Sequence, residues 1–203
     1  EAGKEFEVNT DAEIKNTWYL ELDGFMDLKG ESQLIQTKDS DLVVGANGKL
    51  DRDQQGTENL YTYNYFSSPV HSNNPDSAVD GNETYTVGSV MMDGTDLINP
   101  PVTINFIDGY NGDNSTAPIK IARYWLWKYG NLATDYYNWE QVFENGNLKV
   151  GEGYSMKGPG LGAITNEQNY TFSGKPNNGT ILLPITTNNT YLVGNPYASA
   201  IDG

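Results

Sequence analysis

The chain has 203 residues, 27 acidic against 12 basic side chains, a formal charge of −15, one histidine and no cysteine. A surface of that sign lacks the clustered Lys and Arg that nucleic-acid phosphates require, and it disfavours an anionic bilayer for the same reason. Disulfide staples, thiolate ligands and multi-histidine zinc or iron centres are excluded by composition. No run approaches the ~18 apolar residues of a membrane span, so no transmembrane segment is expected. No basic-then-apolar leader opens the sequence either, and Glu1 reads as the start of a mature product or of a fragment.

Twenty-two glycines and fourteen tyrosines, with few Ala or Leu runs, favour an all-β chain. From Phe6 to Leu50 apolar residues such as Val8, Ile14, Leu20, Met26, Leu34, Leu42 and Val44 recur at short, irregular intervals between Gly24, Gly30, Gly45 and Gly48. That spacing suits short strands stacked as rungs of a solenoid, and it also suits an ordinary β-meander. In either case Leu22, Leu28, Leu34 and Leu42 are expected in the core. Beyond Gln54–Asn59 the texture changes. Tyr61, Tyr63 and Tyr65 alternate with polar residues, which places three rings on one strand face, and Pro69 ends that strand.

The polar stretch from Ser72 to Asn82 reads as an exposed loop. Strands are expected near Tyr85–Met91, Val102–Ile107 and Ile119–Tyr129, with a helical turn or two in Tyr136–Phe143. Asn145-Gly146 and Asn178-Gly179 signal hairpins, the second joining Tyr170–Ser173 to Thr180–Leu183. A last strand is expected at Tyr191–Val193. The architecture expected is therefore all-β: solenoid-like rungs over residues 1–56, then an antiparallel, jelly-roll-like β-sandwich over 57–203.

Five stretches carry a resemblance: Asp23 to Gln36, Tyr63 to Val70, Gly151 to Gly158, Gly174 to Ile181, and Leu192 to Asp202. Together they resemble the region near the C-terminal end of very large flavobacterial cell-surface proteins, secreted by the type IX system and described as adhesins or gliding-associated. The resemblance runs from about Trp18 onward. It implies an extracellular, outer-surface location and a structural or adhesive role, with surface glycans or proteins as partners.

Catalysis is poorly supplied. His71 has no visible activated partner, and Ser155, in Gly-Tyr-Ser-Met-Lys, lacks the second glycine of a nucleophile elbow. Glu140, Glu144 and Glu152 lie near aromatics and are the candidates for a glycosidase pair, but Glu152 between two glycines reads better as a turn residue. Gly158–Gly162 lacks the spacing of a dinucleotide loop. No catalytic residue is assigned, and the chain is expected not to be an enzyme.

Calcium is the cofactor to test, with Asp108, Asn111, Asp113 and Ser115 offering hard oxygens in one glycine-containing loop, and Asp93 and Asp96 forming a smaller set. Trp125, Trp127 and Tyr129 alternate along one strand, and that face is assigned to the core. Tyr136, Tyr137 and Trp139 follow in a loop and are the candidate ligand-binding rings, because flat exposed rings stack on sugar faces. Binding of carbohydrate through them is the alternative to a purely structural role. Asp76-Ser77-Ala78 resembles a short bacterial O-glycosylation acceptor, with Ser77 as the modified residue.

Overall fold

The computed structural model describes residues 3–9, 11–72 and 83–201. Ser77 lies outside the described residues. The chain is predominantly β, with four helical residues at Val87–Val90 and two 3-10 turns among those described. No helix among them is long and apolar enough to cross a membrane.

Seven strands fill the first part: β1 Glu5–Val8, β2 Glu13–Asn16, β3 Tyr19–Leu22, β4 Phe25–Leu28, β5 Gln33–Gln36, β6 Asp41–Val44 and β7 Lys49–Thr57. Their pairing is parallel and in register. β4 lies between β1 and β7, β2 pairs with β5, and β3 pairs with β6. Met26 stands between Phe6 and Leu50, Ile14 beside Leu34, and Leu20 beside Leu42. The chain thus returns to the same three faces after about twenty residues and lays apolar side chain on apolar side chain. Leu22, Leu28, Leu34 and Leu42 are all buried, as their spacing leads one to expect.

Successive turns pass very close. A methyl group on Gly48 would stand 1.9 Å from the Leu22 carbonyl oxygen, so the corner before β7 admits no side chain.

β7 is shared. Along one edge it pairs with β4 in parallel, and along the other residues 50–57 pair antiparallel with the strand Glu167–Gly174. Met91–Asp93 and Val102–Thr103 extend the same sheet to six strands. A second, four-stranded antiparallel sheet runs in the order Glu140–Gln141, Trp127–Lys128, Tyr154–Lys157 and β8 (Tyr63–Phe66). The two sheets meet through rings. Phe66 stands 5.6 Å from Tyr170 in an edge-to-face contact and 6.1 Å from Phe172, while its neighbour within its own sheet, Tyr154, lies at 6.3 Å.

Several local expectations are corrected. Asn178-Gly179 does not close a hairpin: Glu167–Gly174 is already paired on both edges, by β7 and by Met91–Asp93, so 180–183 has no place beside it. Asn145-Gly146 turns the chain, but the flanking strands pair elsewhere, Glu140–Gln141 with Trp127–Lys128 and Leu148–Lys149 with Thr84–Tyr85. Tyr85–Met91 is interrupted by the helical turn Val87–Val90. The expected strand Ile119–Tyr129 is broken by a 3-10 turn at Arg123–Trp125, which destroys the two-residue alternation assumed for Trp125, Trp127 and Tyr129. Only Tyr129 of the three is buried, and the two indoles are half-exposed rather than core.

Candidate aromatic cleft

The four-stranded sheet sorts its side chains by register. Gln141, Trp127, Ser155 and Tyr65 form one cross-strand row, and Glu140, Lys128, Tyr154 and Phe66 form the next. Neighbouring rows face opposite sides of a sheet. The second row carries the buried Tyr154 and Phe66, so the first faces outward. Tyr63 and Lys157, paired two residues further on, share that outer face.

Three segments bring rings to it. Tyr63 and Tyr65 of β8 stack at 6.4 Å. Tyr124 meets Trp125 edge-on at 4.9 Å and Trp127 at 6.0 Å. Tyr136, Tyr137 and Trp139 arrive from the following loop, and these eight rings with Ser155 line an open cleft of about 450 Å³.

The rings are held by their polar edges. The Trp127 indole N–H donates to the Tyr124 carbonyl at 2.7 Å, and the Trp125 N–H donates to the Tyr110 carbonyl at 2.7 Å. The Gln141 amide also donates to the Tyr124 carbonyl, at 2.8 Å. With both N–H groups satisfied internally, the indoles offer π-faces rather than donors.

The loop that presents Tyr136 and Tyr137 is braced from beneath. The buried Tyr129 hydroxyl donates to the Ala133 carbonyl and accepts from the Asp135 N–H at 2.9 Å. Asp135 caps the 3-10 turn Tyr136–Asn138 by accepting from the Tyr137 N–H at 3.0 Å. Trp139 leans edge-on against Tyr129 at 5.4 Å. The result is a fixed loop with two solvent-facing rings, Tyr136 83% and Tyr137 89% exposed.

One cation stands at the cleft. The Lys157 Nζ lies 3.5 Å from the centre of the Trp125 ring and 4.9 Å from that of Tyr63. Burial lowers the pKa of this ammonium. Burial, and then the neighbouring hydroxyls of Tyr136, Tyr65 and Tyr124, raise that of the Tyr63 phenol.

The candidate carboxylates lie elsewhere. Glu140 and Lys128 belong to the inward row, 3.7 Å apart, and Lys128 also stands 3.6 Å from Glu152. Glu152 is buried, accepting from the Lys149 N–H at 2.8 Å and the Tyr191 hydroxyl at 2.7 Å, which fits a carboxylate that fastens a turn. Glu144 is paired with Arg123 at 2.8 Å. His71 is buried, its Nδ1 2.8 Å from the Asn177 Oδ1. Ser155 donates to the Trp125 carbonyl at 3.2 Å.

In the loop considered for calcium, Asp113 accepts from the Ser115 hydroxyl and N–H and pairs with Lys120 at 3.1 Å, which together pull its pKa down to about 2. Asp108 stands 3.6 Å from Arg123. Asp93 accepts from Thr95 and from the Ile119 N–H, and Asp96 from Ile98 and Asn99. Among the described residues, the acids close enough to share one ion are Glu5, Glu7 and Asp27. The Lys29 ammonium already sits with them, 3.2 Å from Glu7 and 3.7 Å from Asp27.

The rings of Tyr136, Tyr137 and Trp139 can be singled out from sequence, but the rings they meet in the cleft cannot. The alternation at Tyr61–Tyr65 was visible, and it does mark an outward face. Its convergence with Trp125 and Trp127 depends on Tyr154–Lys157 lying between them, a long-range pairing that no local pattern encodes. Lys157 carried no signal at all.

A family profile described as "Domain of unknown function (DUF8693)" matches residues 101–203, just over half of the chain and including the segments that supply Trp125, Trp127, Trp139 and Lys157. No curated protein and no solved structure matches the chain.

Proposed function

The chain belongs to the DUF8693 family, and we propose that it is a non-enzymatic, extracellular adhesive module whose aromatic cleft binds glycans. One observation carries this reading: eight rings from three separate segments converge on a single open cleft, with the Trp125 and Trp127 N–H groups tied to backbone carbonyls and a fixed loop beneath the most exposed pair. Pyranose rings present apolar C–H faces that stack on such surfaces, and the hydroxyls of Tyr65, Tyr136 and Tyr137 are placed to meet sugar hydroxyls. Carboxylates tied into ion pairs on other faces favour binding over bond cleavage.

The same reading takes the first part as two stacked coils of a solenoid, which the in-register parallel ladders support, and the rest as a jelly-roll-like sandwich, which the ring contacts between two sheets support. Placement at the outer surface of a cell, as part of a large secreted protein, follows from the resemblance carried by Asp23–Gln36 and Gly151–Gly158. Stacked strands joined to a ring-lined cleft suit attachment to a glycan coat.

Tryptophan fluorescence titrated with a panel of oligosaccharides tests the proposal. Quenching that saturates, and that weakens roughly tenfold in Trp139→Ala and in Tyr137→Ala, is the expected result. Binding unaffected by both changes would put the contact surface elsewhere. Absence of binding across neutral and charged glycans would leave a purely structural role.

A further inference from the structure

Every residue lining the cleft is neutral, yet an ammonium stands over two of its rings. From that juxtaposition, and resting on the glycan reading above, we infer that the cleft selects acidic sugars, with the carboxylate of a uronate ring paired to Lys157 while the ring stacks on neighbouring aromatics.

Acids outnumber bases by 27 to 12 in this chain, so a half-exposed lysine, drawn out of bulk water, would ordinarily find a carboxylate. The half-exposed Lys29, Lys49, Lys120, Arg123 and Lys128 each do, whereas Lys4, Lys15, Lys38 and Lys149 are exposed and form no such pair among the described residues. Lys157 has no carboxylate within ion-pair distance among the described residues, although it is only half-exposed. Its contacts are the π-faces of Trp125 and Tyr63, which hold the ammonium without neutralising it. Burial makes that charge costly to keep unpaired, so an incoming anion gains more from it than from a fully hydrated lysine. The net charge of −15 does not oppose a short ligand, because fields from distant surface acids are screened within about 8 Å at physiological salt. The geometry also discriminates by shape. A carboxylate on a pyranose lies in the rim of the ring, so it can meet a cation at the edge of a stacking platform while the sugar face stays on the rings.

The test uses tetramers of galacturonate, mannuronate and glucuronate, each beside its methyl ester, which keeps the ring and removes the charge. Titration calorimetry on the intact chain should show at least one acid form bound roughly tenfold tighter than its ester. Lys157→Met should bring that ratio to about one, and Lys157→Arg should restore the preference. Melting curves of both variants confirm that the fold is retained. Equal affinity for acid and ester in the unmodified chain overturns the inference while leaving glycan binding intact. So does a preference that survives Lys157→Met, or binding of a sulfated galactan with none of any uronate. Failure of every sugar, charged or neutral, overturns both readings.

Discussion

The two ends of this molecule use the same backbone geometry for different purposes. In β1–β7 each strand lies beside a copy of its own environment, and apolar residues such as Met26, Leu28 and Leu34 stack on partners one turn away. In the second part, apart from the eight-residue Glu167–Gly174, strands of two to four residues are joined by long connections, and aromatic side chains that a repeating core would bury are left at the surface. The repetitive part spends its apolar residues on cohesion. The irregular part holds Trp125, Trp127 and Tyr137 in place by hydrogen bonds beneath them, and so keeps apolar area in contact with water. An exposed apolar patch maintained in this way is a signature of recognition.

The largest effect expected from breaking that contrast lies in the stacked strands. Leu28→Ala or Leu34→Ala should lower stability by about 2–5 kcal/mol, read from denaturant midpoints, because both sites are fully enclosed and cannot collapse around a smaller residue. Tyr137→Ala, at the cleft, should shift the same midpoint by less than ~0.5 kcal/mol. If the two changes cost alike, the division into cohesive and recognising parts is wrong.

A smaller effect should appear with pH. Asp27 lies in register between Glu7 and Asp51 on the parallel sheet, and burial pushes its carboxyl up to about 6. Burial raises Asp51 as well. A raised carboxyl pKa means that the folded chain holds its proton more tightly than the unfolded chain. Stability from this source is therefore present below about pH 4 and is lost as pH rises through about 6. Midpoints compared at the two ends of that window should show a shallower decline in Asp27→Asn than in the unmodified chain. An unchanged slope would remove Asp27 as its source.

Calcium should do least. Asp113 is committed to Ser115 and Lys120, and Asp108 stands against Arg123, so the loop already balances its charge. Melting curves in EDTA and in millimolar calcium should superimpose. A rise in melting temperature with calcium, lost in Asp113→Asn, would restore the loop as a cation site.

Legibility followed the same line. Burial of Leu22, Leu28, Leu34 and Leu42 could be read from spacing, because a chain that returns to the same face must repeat its apolar residues. The parallel partners themselves, twenty or so residues apart, were hidden by turns of unequal length. In the second part the rings could be named but not assembled. A 3-10 turn at Arg123–Trp125 redirected two indoles from the expected core to the surface, and strand ends chose distant partners over the adjacent ones that Asn-Gly turns suggest. Such choices are made by tertiary packing, which local propensity does not record.

β7 has a consequence for how the chain comes apart. It is the seam between the two parts, hydrogen-bonded to β4 along one flank and to Glu167–Gly174 along the other. Peeling either neighbour away would leave a row of its amides and carbonyls without partners, with Leu28, Leu50 and Phe172 laid open beside them. The stacked strands and the aromatic part should therefore share one cooperative transition, with the amides of β7 among the last to exchange with solvent. Force applied at the cleft would reach the stacked strands through that seam as shear along a doubly bonded strand, rather than as the unzipping of a terminal one.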